Sequence, residues 1–171
     1  MVQDTVNTWA TLRFALGYPD ERHFGKFREL FDDAPPTLEE LRALYIDLFE
    51  AGLPHPRCPL IEGYYLLNRP AGDVVLENKL YFKHFGLETP AKASPDHLLT
   101  QLEFLCWLDY CIDSGNMDSA SLLRARAEFV ERHLAHWVPR AAQSLHQQAV
   151  PCYAPLFALL AEQVKNSREA A

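Results

Sequence analysis

Asp96 and His97 stand side by side directly after Ser94-Pro95, at the head of a long apolar run. A carboxylate in that place has two readings. As structure, Asp96 is a first-turn acid that complements the helix dipole. As chemistry, an Asp-His pair at a helix start beside a Pro-containing loop presents a carboxylate to a cationic ligand. On helical spacing Asp96, Thr100 and Glu103 share a face, and His97 and Gln101 share the adjacent one. Such an acidic edge suits an arginine held by paired, charge-assisted hydrogen bonds. Tyr64 and Tyr65, flanked by Leu60, Ile61, Leu66 and Leu67, are core or the wall of an apolar groove. A groove of that kind beside an acidic edge would dock a peptide, its apolar part inside and its arginines at the rim.

Other chemistries find less support. His133 and His136 are three apart on one expected helix, and a metal-dependent helical enzyme using His97, His133 and His136 is a rival reading. Helical metal sites draw on Glu-x-x-His or His-Glu-x-x-His pairs, and neither occurs, so capped or solvated histidines are expected and no metal. The seven glycines are isolated, which excludes G-x-G-x-x-G and Walker-type phosphate loops, and no serine sits in G-x-S-x-G. Cys58, Cys106, Cys111 and Cys152 form no C-x-x-C pair and read as reduced, structural thiols of a cytosolic protein.

Helices must position these residues, because helical periodicity dominates the chain. A first stripe, Val6, Trp9, Ala10 and Phe14, spans Asp4 to Leu16, and a second joins Phe24, Phe27, Leu30 and Phe31. Thr37 with Glu40 forms a capping box that opens a third helix along Leu38, Leu41, Tyr45, Leu48 and Phe49. From Gly52 to Gly72 four prolines scatter through an irregular segment, with a short helix expected at Ile61–Leu67. Asp73 is expected to cap a helix over Val74–Phe85, closed by Gly86. Ser94 at the cap and Pro95 at the first position then open a broadly apolar, central helix to Asp113, followed by a turn at Ser114-Gly115-Asn116. The remaining helices are expected over Asp118–Trp137, near Arg140–Gln148 after a break at Pro139, and from the Pro151–Pro155 region onward. No stretch reads as a convincing strand. The expected architecture is one all-helical domain, a bundle over residues 1–171.

Lys and Arg total 16 against 23 Asp and Glu, a net charge of −7 in 171 residues. That balance argues against nucleic acid and anionic membranes, which need a basic face, and suits a partner that carries arginines. MVQDTVNTWA has no basic start followed by an apolar stretch, and no apolar run approaches the length of a membrane span. A soluble chain without a secretory signal is expected.

Several motifs together resemble one family. Pro95-Asp96-His97-Leu98 followed by Leu102-Glu103-Phe104-Leu105 is similar to the P-D-H-L-x-x-x-L-E-F-[LM] signature of the TorD/DmsD/NarJ family. In order along the chain, Tyr45–Phe49 resembles its Y-x-x-L-F, and Pro59, Glu62 and Tyr65 match its P-x-x-E-S-x-Y segment. His133, Trp137, Val138 and Pro139 resemble its H-L-x-x-W-[VI]-P stretch. Two departures lie near the expected peptide site. Gly63 replaces the usual serine, and Ala91-Lys92-Ala93-Ser94 lacks the glutamate that often precedes Pro-Asp-His.

The resemblance implies an all-helical chaperone with no cofactor and no catalytic residue. Its partner would be the apo catalytic subunit of a molybdenum-containing oxidoreductase of the DMSO reductase family, bound through its N-terminal or twin-arginine leader. It would work in the cytoplasm while cofactors are inserted, before export or assembly, as a monomer or a domain-swapped dimer. Asp96 and His97 carry over as the peptide-contacting pair, with Glu103, Tyr65 and Glu62 behind them. A generic helical adaptor that binds a folded surface is the other alternative.

Overall fold

The computed structural model describes residues 8–52, 54–115 and 118–169. Asp4 to Asn7 of the first expected helix, with Val6, and Asn116 of the expected turn lie outside the described residues. Helices α1 (Thr8–Ala15), α2 (Glu21–Leu30) and α3 (Leu38–Tyr45) come first. Asp20 caps α2 by accepting from the His23 amide at 3.0 Å, and the His23 ring returns to the Asp20 amide. That capping box uses a histidine where glutamate is usual, so the sequence pattern did not reveal it. The His23 side chain beside it, together with the His23 and Arg22 amides, holds the Asp20 carboxyl down at about 2. Thr37 and Glu40 cap α3 reciprocally, as their spacing predicts.

α3 runs on into a π turn over Ile46–Glu50, where the Ala51 amide reaches back to the Ile46 carbonyl at 2.8 Å. A short α4 (Glu62–Tyr65) interrupts the Pro-containing segment, and α5 (Ala71–His84) follows. Pro70, not Asp73, stands at the N-cap of α5. Its fixed φ of −58° and its carbonyl, which accepts from the Asp73 amide at 3.0 Å, start the helix three residues earlier than expected.

The central α6 (Leu98–Ser114) buries Leu98, Leu102, Phe104, Leu105 and Leu108 and ends at Gly115 in the left-handed conformation. It packs against α1 and against α7 (Ser119–Phe129), which continues through a π turn at Val130–Leu134. α8 (Val138–Gln147) opens with Pro139 in its first turn rather than being broken by it, since the missing amide costs nothing there. α9 (Tyr153–Glu169) lies along α8 and touches α1 and α7. Buried side chains from Trp9 in α1 to Val164 in α9 form one hydrophobic cluster. Among the described residues there is no strand, only an antiparallel bridge between Ile61 and His97.

Candidate functional site

That bridge changes where the helix begins. His97 is extended (φ −77°, ψ 134°) and is itself the N-cap of α6, its Nδ1 accepting from the Leu99 amide at 3.2 Å. Residues 94–97 are therefore a strap laid against residues 60–63, not the first turn of a helix. The Leu98 amide donates to the Leu60 carbonyl at 2.8 Å, and the Glu62 amide to the Asp96 carbonyl at 3.0 Å. Burial lowers the affinity of the His97 ring for a proton, which keeps its capping nitrogen an acceptor.

Asp96 is only 2% exposed. One carboxylate oxygen accepts from the Ser94 hydroxyl at 2.5 Å and the other from the Gly63 amide at 3.3 Å. This corrects the sequence expectation of an open carboxylate on a face shared with Thr100 and Glu103: strap pairing turns Asp96 inward, ahead of the helix. Gly63 is part of the fit, because a Cβ there would sit 3.2 Å from Asp96 Oδ2 and 3.4 Å from the Ala71 Cβ.

Behind the strap lies a fully buried polar knot of Glu62, Asn78, Gln101 and His133. Glu62 Oε2 accepts from Gln101 Nε2 at 2.6 Å and Asn78 Nδ2 at 2.8 Å, and His133 Nδ1 lies 3.1 Å away. Gln101 Nε2 also donates to Asn78 Oδ1 at 3.0 Å. The knot ties α4, α5, α6 and the second π turn together. π turns recur where a helix must present a side chain out of its regular register, and His133 sits on this one. Gln101 Oε1 and His133 Nε2 have no protein partner.

Sequence reasoning did not single out Asn78, and gave Gln101 no role. A signal was present, since Val74-Asn78-Phe82 is a helical stripe with one polar member, and Gln101 interrupts Leu98, Leu102 and Leu105 in the same way. A polar residue inside an apolar stripe must find a buried partner.

Tyr65 is half-buried and stacks on Trp137, with centroids 5.0 Å apart and an interplanar angle of 23°. Its hydroxyl lies 3.4 Å from the Cys58 sulfur, and burial pushes the Cys58 thiol up and the Tyr65 hydroxyl far up from their ordinary pKa values. Arg140 donates to the Tyr65 carbonyl at 3.2 Å. Tyr65 also lines an open cavity of about 370 Å³ with Leu66, Leu67, Arg69, His136 and Arg140.

Glu103 faces elsewhere. Its side chain is 65% exposed, pairs with Arg13 of α1 at 3.3 Å, and lines a separate cavity of about 240 Å³. Of the three histidines in the metal reading, His133 is sealed in the knot, His97 caps α6 and His136 is exposed. Among the described residues no group of three His, Cys, Asp or Glu could hold a metal. The residues brought together are Glu62, Asp96, His97 and Tyr65, with His133 from the second π turn and Trp137 at the head of α8; Glu103 stands apart.

The family described as nitrate reductase delta subunit matches residues 14–143. The chain is 34% identical over 159 residues to the selenate reductase assembly chaperone protein of Thauera selenatis, covering 86% of this chain and 80% of that protein. It is 34% identical over 163 residues to the chlorate reductase assembly chaperone protein of Ideonella dechloratans, covering 90% and 82%. With the perchlorate reductase assembly chaperone protein of Dechloromonas aromatica (strain RCB) it shares 32% over 108 residues, 60% of this chain and 48% of that one. The fold is similar to the crystal structure of a redox enzyme maturation protein from Archaeoglobus fulgidus, with TM-score 0.54, 20% identity, and 92% and 93% of the two chains covered.

Proposed function

The chain belongs to the nitrate reductase delta subunit family, the TorD/DmsD/NarJ chaperones, and from that premise we propose that it is a dedicated assembly chaperone for one molybdenum-containing reductase. It binds the apo catalytic subunit, through the N-terminal leader, and holds it until the cofactors are in place. It catalyses no reaction and works in the cytoplasm, as one helical domain. No helix among the described residues is long and apolar enough to cross a membrane, which fits that placement.

The observation that carries this reading is a convergence. Glu62, Asp96, His133 and Trp137 belong to three separate motif segments, and they gather around one strap and one loop. Nothing in that arrangement resembles a reaction centre: Asp96 is buried with each carboxylate oxygen hydrogen-bonded, and Glu62 is closed to solvent. What it does is fix the loop 58–67 against α5, α6 and α7. In this reading Glu62 and Asp96 act from inside, His97 sets the start of α6, and Tyr65 and Glu103 face the client.

Co-expression of the catalytic subunit encoded beside this chain, with and without it, tests the reading. The chaperone is expected to co-purify with the apo form and to leave the loaded one, and molybdenum content is expected to collapse in its absence. A fully loaded reductase made without this chain would overturn the proposal.

A further inference from the structure

Resting on that reading, we propose that an arginine of the client leader docks in the cavity between α6 and the 87–90 segment, against Glu88 and Glu103. The floor of this cavity is aromatic, Phe82, Phe104 and Trp107, and the rings of Phe104 and Trp107 lie nearly parallel at 6.2 Å. Glu88 and Glu103 line it, and both are exposed. Thr89 adds a buried hydroxyl oxygen that has no partner. A guanidinium matches that set: it stacks on aromatic faces, forks onto a carboxylate, and has donors to spare for a hydroxyl.

Charge complementarity selects this cavity over the others. Its lining holds two glutamates and no basic residue. The groove along α1, α2 and α9 sets Arg22 and Lys26 against Glu29, the one between α5 and α7 sets Arg132 against Glu77 and Glu128, and the one beside Tyr65 carries Arg69 and Arg140. Each of those rims holds a cation of its own, and in the α5–α7 groove Arg132 already pairs with Glu77 and Glu128, so of these four the cavity beside Glu88 and Glu103 is the acidic one with no cation in its lining. The protein also supplies its own stand-in, because Arg13 reaches Glu103 from α1 and leaves that carboxylate 65% exposed. Glu103 therefore accepts a guanidinium without rearrangement, and a client arginine competes with Arg13 for it. Asp96 offers no such opening.

Calorimetric titration with a synthetic peptide carrying an Arg-Arg pair followed by an apolar run tests the cavity. The Glu88→Gln/Glu103→Gln protein is expected to bind about ten-fold more weakly than the parent, the loss for one charge-assisted contact. Arg13→Gln, which frees Glu103, is expected to tighten binding several-fold. The same peptide with both arginines replaced by glutamine should no longer distinguish the parent from the double variant. A double variant that binds like the parent overturns the cavity and leaves the chaperone proposal standing. A parent that ignores the peptide, yet co-purifies with the apo subunit, overturns both the cavity and leader recognition while keeping the chaperone.

Discussion

Glu62 and Glu103 are both glutamates within family-like motifs, and the structure puts them to opposite uses. Glu62 has no exposure, accepts hydrogen bonds from Gln101 and Asn78, and lies against His133. Glu103 is two-thirds exposed and pairs with a single arginine at the surface. The sealed one organises, and the open one is free to recognise. A surface ion pair such as Arg13–Glu103 contributes little to stability, so exchanging its arginine costs little; a buried knot cannot exchange anything without unfolding the loop it holds.

That contrast breaks most visibly at Glu62. Glu62→Ala removes the buried acceptor that Gln101 and Asn78 share and that His133 faces, and is expected to cost about 3–5 kcal/mol, which lowers the melting temperature by about 6–20 °C in a chain of this size. A variant that melts like the parent would dissolve the distinction between the two sites. Asp96→Asn is next. It weakens the contacts to Ser94 and Gly63 and is expected to cost about 1–3 kcal/mol, measured by urea unfolding. Leader affinity of the folded fraction should hardly change. Lost affinity without lost stability would return arginine recognition to Asp96.

Glu88→Gln/Glu103→Gln is expected to move stability by less than about 0.5 kcal/mol, as surface changes do, while affecting peptide affinity. The smallest effect sharpens the boundary between the regions. Burial lowers the His97 pKa below 6.5, so the unfolded chain takes up a proton that the folded one resists. Stability is then full above pH 6.5 and declines as pH falls through the lowered folded value. His97→Asn keeps a capping acceptor and is expected to flatten that acid limb in a melting series from pH 8 to pH 5.

Much of the fold was legible because helices announce themselves locally. The Thr37–Glu40 box, the left-handed glycine after α6 and the apolar stripes of α6 and α9 need only neighbours a turn or two away. The misplacements share a cause. α6 begins at Leu98 rather than Pro95 because Asp96 and His97 pair with a segment some thirty-five residues earlier in the chain. Two π turns also escaped, since one extra residue in a turn leaves the apolar spacing almost unchanged.

The candidate site divides the same way. Sequence alone determined that the chain is acidic and helical, lacks phosphate loops, and carries the motif residues Glu62, Tyr65, Asp96, His97 and Glu103. Only the tertiary structure decided which of those carboxylates meet solvent. Exposure depends on what packs over a residue, and here the covering groups come from Ser94, Gly63, Asn78, Gln101 and His133, up to 71 residues away. A carboxylate reads the same in a string of letters whether it faces water or a ring of donors; the long-range contacts that separate the two cases exist only once the chain has closed around them.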